Sequence, residues 1–146
     1  MAQLKDKRQI IDLLTTSRTV AVLGAHPSAV RPAHYVPEYL HQMGYRILPV
    51  NPMKLGQTLW GQPVRATLEE LGESVDIVDI FRRSDQVMDH LPDILAMDPR
   101  PKAVWMQLGI ANKAAADALV AEGIDVVQNR CTLADHRRFG LDPIKE

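Results

Sequence analysis

Five short apolar runs punctuate the chain: TVAVLG (19–24), RILPVN (46–51), DIVDIF (76–81), KAVWMQLG (102–109) and IDVVQN (124–129). Stretches with helical character lie between most of them. Continuous rather than alternating apolar runs mark strands buried on both faces. Strands that alternate with helices pair in parallel, because each connection must cross from one end of the sheet to the other. Right-handed crossovers leave few topologies. The chain is therefore expected to be α/β, a doubly wound Rossmann-like fold with a five-stranded, mainly parallel sheet and helices on both faces. With 146 residues, no repeats and no linker, residues 1–146 are expected to form a single domain.

The predicted helices fill the gaps. Residues 4–16 carry apolar spacing at Leu4, Ile10, Ile11, Leu13 and Leu14. A helix over 33–43 ends at Gly44, and an alanine-rich one over 112–122 ends at Gly123. Residues 52–66 read as a long loop, followed by a short helix over 67–72 with Thr67 as N-cap and Glu70 in capping-box position. Residues 84–98 read as a helix capped by Ser84 and kinked or stopped at Pro92, and residues 131–140 as a final short helix.

Composition narrows the function. The net charge of -1 gives no global attraction to nucleic acid or anionic membrane. The single cysteine cannot form an internal disulfide, the first residues lack the apolar core of a signal peptide, and no apolar run approaches a membrane span. A cytoplasmic protein is expected. The distribution of charge says more than its sum. No acidic residue occurs between Tyr39 and Leu68, a window that holds Arg46, Lys54 and Arg65, and none occurs between Gly24 and Pro37, where Arg31 lies.

In an open α/β sheet, ligands bind across the carboxyl ends of the strands. The five loops expected there are GAHPSAVRP, NPMKLGQ, RRSD, QLGIAN and NRCT. Four carry a cation: Arg31, Lys54, Arg82 with Arg83, and Arg130. Gly24 lets the backbone pass close to a ligand, and N–H groups at a following helix start favour phosphate. NAD fits poorly. His26 stands where the dinucleotide fingerprint has its second glycine, and Asn51 stands where a carboxylate would receive the ribose hydroxyls. Lys54 just beyond would suit a phosphate on the ribose, as in NADP or coenzyme A.

VAVLGA, GYRILPVNP, Gly61, VDIVDIFRRSDQV, VWMQLGI and IDVVQNRC together resemble the CoA-binding domain family, over about residues 16–140. These are small Rossmann-type domains similar to the N-terminal part of the succinyl-CoA synthetase α subunit. The resemblance implies a phosphate site at Gly24, Ala25 and the loop through His26 and Pro27 to Arg31. It implies Asn51, Pro52 and Lys54 beside the ribose phosphate and adenine, Phe81 and Arg82 on the adenine side, and Gln107, Leu108 and Gly109 along the pantetheine. Two departures stand out: His26 replaces a common serine, and nothing resembles the synthetase's second domain, which bears its phosphorylated histidine.

Other residues invite chemistry. Cys131 opens the last helix beside Arg130, where a helix N-terminus and a cation would favour thiolate; a small packed residue is the simpler reading. His34, Glu38 and His41 share a helix face, but a mixed polar face explains that spacing as well as metal ligation does. His136 is expected to point away from Cys131, and Trp105 to be core or site wall. No Ser-His-Asp set, carboxylate pair or P-loop can be assembled. The expectation is non-catalytic binding of coenzyme A or an acyl-CoA, with no catalytic residues, no metal, no nucleic acid and no membrane as partner. The alternatives are an NAD(P)-binding module or a CoA-ligase subunit completed by a partner chain.

Overall fold

A computed structural model describes residues 2–144. Its centre is a five-stranded, wholly parallel sheet built from β1 (Thr19–Leu23), β2 (Arg46–Val50), β5 (Ile77–Ile80), β6 (Ala103–Met106) and β7 (Asp125–Val127), in the order β2-β1-β5-β6-β7. A two-stranded hairpin, β3 (Thr58–Leu59) and β4 (Gln62–Pro63), stands apart. The strand order reverses between β1 and β5, so the loops after these strands diverge and open a crevice. Beyond β2 the chain returns for one parallel bridge, Val50 to Arg65, the rudiment of a further strand. Pro49 fits β2 because its carbonyl, which accepts from the Arg65 N–H, and its missing donor both face that nearly empty edge.

Helices cover both faces. One face of the sheet presents Ala21, Leu48, Val78, Val104 and Val126 to α3 (Leu91–Leu95) and α4 (Lys113–Ala121). The other presents Val20, Val22, Ile47, Ile77, Trp105 and Val127 to α1 (Lys7–Thr16), α2 (Pro32–Gln42) and α5 (Thr132–Arg138). Asp79 interrupts that second face, in register between Val22 and Trp105.

The structure moves several predicted boundaries. α1 begins at Lys7, not residue 4, because Asp6 and Gln9 close a capping box there; Leu4 instead runs beside β7, its N–H donating to Val126. The long loop of 52–66 contains a 3-10 turn at Pro52–Lys54 and the hairpin, whose turn places Trp60 and Gly61 at φ 52° and 76°. Thr67 and Glu70 do form their reciprocal box, but around a 3-10 turn. Over 84–98 the chain is a 3-10 segment, Ser84–His90, followed by α3. Pro92 cannot donate to Met88 and so starts a new helix rather than continuing one. Ser84 caps neither; its Oγ accepts from the Ala111 N–H at 3.0 Å and ties this segment to the loop after β6.

Candidate functional site

Because the sheet is wholly parallel, the loops after all five strands share its carboxyl edge. Gly24 leaves β1 at φ 93°, a conformation that favours glycine, and a Cβ there would lie 2.9 Å from the Phe81 carbonyl oxygen and 3.2 Å from Arg82 Cδ. The first loop thus lies directly against the third, at the point where strand order reverses. Asn51 joins the first loop to the second. Its Nδ2 donates to the Ala25 carbonyl at 2.8 Å and its Oδ1 accepts from the Met53 N–H at 2.9 Å, which caps the turn carrying Pro52 and Lys54.

Cations converge on this junction. The His26 imidazole is held below its ordinary pKa by desolvation, then by the positive charges of Arg31, Lys54 and His34. Its Nδ1 accepts from the Ser28 N–H at 3.0 Å, so the ring folds its own loop. Among the described residues, Arg31, Lys54 and Arg82 have no carboxylate partner, and Arg82 Nε is buried with no acceptor. Two other predicted cations are spent elsewhere. Arg130 makes a bidentate pair with Asp135 at 2.7 and 2.9 Å, and exposed Arg83 lies 3.5 Å from Asp85. Sequence proximity had placed Arg130 with the free charges; the fold of α5 brings Asp135 back onto it.

Beside the cations lies a largely apolar cleft of about 390 Å³, lined by Arg31, Pro32, Ala33, Tyr35, Val36, Phe81, Gln107, Leu108, Ile110 and Cys131. Arg31 was expected beside the phosphates, Phe81 on the adenine side and Gln107 and Leu108 along the pantetheine; the fold brings all four to one cleft, with walls from α2 and Ile110 that were not expected. Tyr35 and Val36 are the fourth and fifth residues of α2, just after the loop that follows β1, and that adjacency was the available signal. Gly109, expected beside Gln107 and Leu108, is not among the residues that line the cleft; its N–H donates to Asn129 Oδ1 at 2.7 Å.

Gln107 is buried. Its Nε2 donates to Asp79 Oδ1 at 2.6 Å and to Thr132 Oγ1 at 2.8 Å, and the Thr132 hydroxyl donates to Asp79 Oδ2 at 3.2 Å. Desolvation raises the fully buried Asp79 carboxyl to about 7, against the lowering effect of those two partners. An acid in the middle of an otherwise apolar strand is the sequence signal for this trio.

Cys131 lines the cleft but is not activated. Burial pushes its thiol up, the N–H groups of Ala134 and Leu133 oppose this, and the carboxylates Asp79 and Asp135 add to the rise. The last helix is short, and the neighbouring Arg130 is neutralised by Asp135. His136 faces elsewhere, its Nδ1 paired with the Tyr39 hydroxyl at 2.7 Å. Trp105 is core, its Nε1 donating to the Arg130 carbonyl at 2.7 Å. His34 packs its ring 5.6 Å from Trp60, and no group of three or more metal-ligating side chains occurs among the described residues.

Residues 18–137 match the family described as CoA binding domain. The chain belongs to that family. It is 31% identical to the YneT protein of Bacillus subtilis (strain 168) over 134 residues, covering 92% of this chain and 96% of that one. Among solved structures, a Thermus thermophilus protein, cell-free ID.343, is 46% identical with a TM-score of 0.87, over 92% of this chain and 98% of that one. A Pyrococcus horikoshii OT3 protein is 27% identical with a TM-score of 0.84, over 92% of both chains. The membership and these likenesses agree with the Rossmann-like fold and with the resemblance carried by the Pro-Val-Asn-Pro turn and the end of β6. No helix among the described residues is long and apolar enough to cross a membrane.

Proposed function

We propose that this protein binds coenzyme A or an acyl-CoA at the carboxyl edge of its sheet and performs no chemistry on it by itself. The observation that carries this reading is the grouping of Arg31, Lys54 and Arg82, without carboxylate partners, around the Gly24–Phe81 junction. Cations grouped without carboxylate partners favour a ligand rich in phosphate. The adjoining cleft supports the choice of CoA: it is mainly apolar, with a single carboxamide on its wall, as suits a flexible arm of methylenes and amides.

Catalysis would need a nucleophile with a base, or a pair of groups with displaced pKa values facing the ligand. Cys131 has its thiol pushed up and its nearest histidine on the helix turned to Tyr39. Asp79 lies beneath Gln107, fully buried. The role that fits is a carrier or sensor of CoA.

Calorimetric titration with CoA, dephospho-CoA, NAD and NADP tests the assignment. CoA should bind most tightly and dephospho-CoA more weakly. Tighter binding of NADP would favour a dinucleotide module. Incubation with CoA, succinate and a nucleoside triphosphate should yield no thioester; turnover by the purified chain would overturn the non-catalytic role.

A further inference from the structure

The trio Asp79, Gln107 and Thr132 needs an explanation beyond folding. Its Asp79 occupies the sheet layer between Val22 and Trp105, where an apolar side chain would pack without desolvating a carboxyl group. The hydrogen bonds have one geometric consequence. Asp79 Oδ1 and Thr132 Oγ1 take both amide hydrogens of Gln107, so its carboxamide can present only the carbonyl to anything else. Oε1 receives no donor among the described residues, yet it is not sealed off: Arg82 Nε is the buried side-chain nitrogen or oxygen there that lacks a partner. Gln107 lines the apolar cleft.

We propose that Asp79 and Thr132 are positioning residues, which fix the Gln107 carboxamide so that its Oε1 reads an amide N–H of the ligand in the cleft. The proposal rests on the CoA reading, because the pantetheine arm is the part of that ligand with amide N–H groups. A glutamine without such partners can turn either end toward a ligand and so accepts donors and acceptors alike. Here the donor end is already committed. A ligand with an N–H at this point is favoured, and one with only an acceptor leaves two oxygens facing each other in an apolar cleft. Either protonation state of Asp79 serves: a proton on Oδ2 donates to Thr132 Oγ1 and leaves Oδ1 to receive the amide.

Around Asp79 the surroundings add no competitor. On the neighbouring strands, Val22 and Trp105 flank Asp79. From the start of α5, Cys131 offers a thiol pushed toward its protonated form, and Asp135 is held by Arg130. Arg31 lines the same cleft as Gln107, but a guanidinium only donates and so does not compete with Oε1 for an amide N–H.

The test uses CoA, CoA analogues in which one or the other pantetheine amide is replaced by an ester, and adenosine 3′,5′-bisphosphate, which lacks the arm. The wild-type protein should bind CoA about tenfold more tightly than one of the esters, and Gln107→Leu should abolish that discrimination while leaving the bisphosphate unchanged. Asp79→Leu should lose part of the discrimination, and Asp79→Asn should restore it, since the asparagine carbonyl can receive the same amide hydrogen. If Asp79→Leu fails to fold, Thr132→Val, which removes one of the two acceptors, supplies the comparison and should also reduce discrimination. Discrimination that survives Gln107→Leu, or losses at Asp79 and Thr132 that are equal for CoA and the bisphosphate, would overturn the positioning role. Binding of the bisphosphate with no preference between amide and ester would also overturn it while leaving the phosphate site intact. Failure of both CoA and the bisphosphate to bind the wild-type protein would remove the CoA reading and this proposal with it.

Discussion

The side-chain amide of Asn51 donates to the carbonyl of Ala25 across 2.8 Å, and this bond ties the loop after β2 to the loop after β1. Asn51 is only 6% exposed and Ala25 is 0% exposed, so neither group can turn to water. Asn51→Ala should therefore leave the Ala25 carbonyl unsatisfied and cost about 1–3 kcal/mol of stability. Urea unfolding of the two proteins measures this. Asn51→Asp should cost more CoA affinity than stability alone explains, because it places a carboxylate beside the cations proposed to meet phosphate.

Lys54 offers a cleaner test of ligand identity. It follows Asn51 and Pro52 in a capped turn, and no carboxylate pairs with it among the described residues. If it meets the 3′-phosphate of CoA, Lys54→Ala should weaken CoA by roughly 1–3 kcal/mol, about 5- to 150-fold. Dephospho-CoA should be nearly indifferent to the substitution. Titrating both ligands into both proteins closes a cycle that isolates the pair. Equal losses for the two ligands would show that Lys54 does not read that phosphate.

Asp79 predicts an unusual pH dependence of stability. Its folded pKa, about 7, lies above the ordinary value of 3.8. Between those values the folded chain holds a proton that the unfolded chain has released, so this residue's contribution to stability falls as pH rises and is fully lost above about pH 7. The gap corresponds to a loss of about 4 kcal/mol. Asp79→Asn removes it: the variant should match the wild type near pH 4 and exceed it at pH 8. Thermal melts across that range decide the matter. Other carboxylates such as Glu73, held low by its hydrogen bond to Arg46, shift both curves together and drop out of the difference.

Cys131 should alkylate slowly. Its thiol is raised by burial and by the nearby carboxylates, which leaves little thiolate at neutral pH. Iodoacetamide at pH 7.5 should label it more slowly than a free thiol, with or without CoA. The Asp79→Asn variant, lacking one of those charges, should label faster. Rapid wild-type labelling that CoA protects would mean a reactive thiol facing the ligand.

Much of this architecture follows from local pattern. Strands covered on both faces must be apolar throughout, so TVAVL and AVWM announce themselves without any partner being known. The edge that carries the site follows from the same pattern, because parallel strands place every following loop at one end. Shorter features escaped. Two-residue strands such as Thr58–Leu59 and Gln62–Pro63 are too brief to show a period, and their turn uses a tryptophan at positive φ. The 3-10 segment of Ser84–His90 carries the same residue pattern that an α-helix would, and only the position of Pro92 hints at the break.

The amino-acid sequence by itself determined the α/β class, the strands, the loops along the carboxyl edge and the glycine at the head of the first loop. Each of these rests on interactions between residues close along the chain, or on burial that a strand must satisfy whatever its neighbours are. Tertiary structure alone decided which charges remain free and which polar groups work together. Arg130 is bound because α5 folds Asp135 back onto it, whereas Arg82 keeps a buried Nε without an acceptor. Asp79, Gln107 and Thr132 lie 28, 25 and 53 residues apart pairwise, yet share one set of hydrogen bonds. Electrostatic and hydrogen-bond partnerships depend on distances of a few ångströms between distant segments, and a sequence records the groups but not those distances.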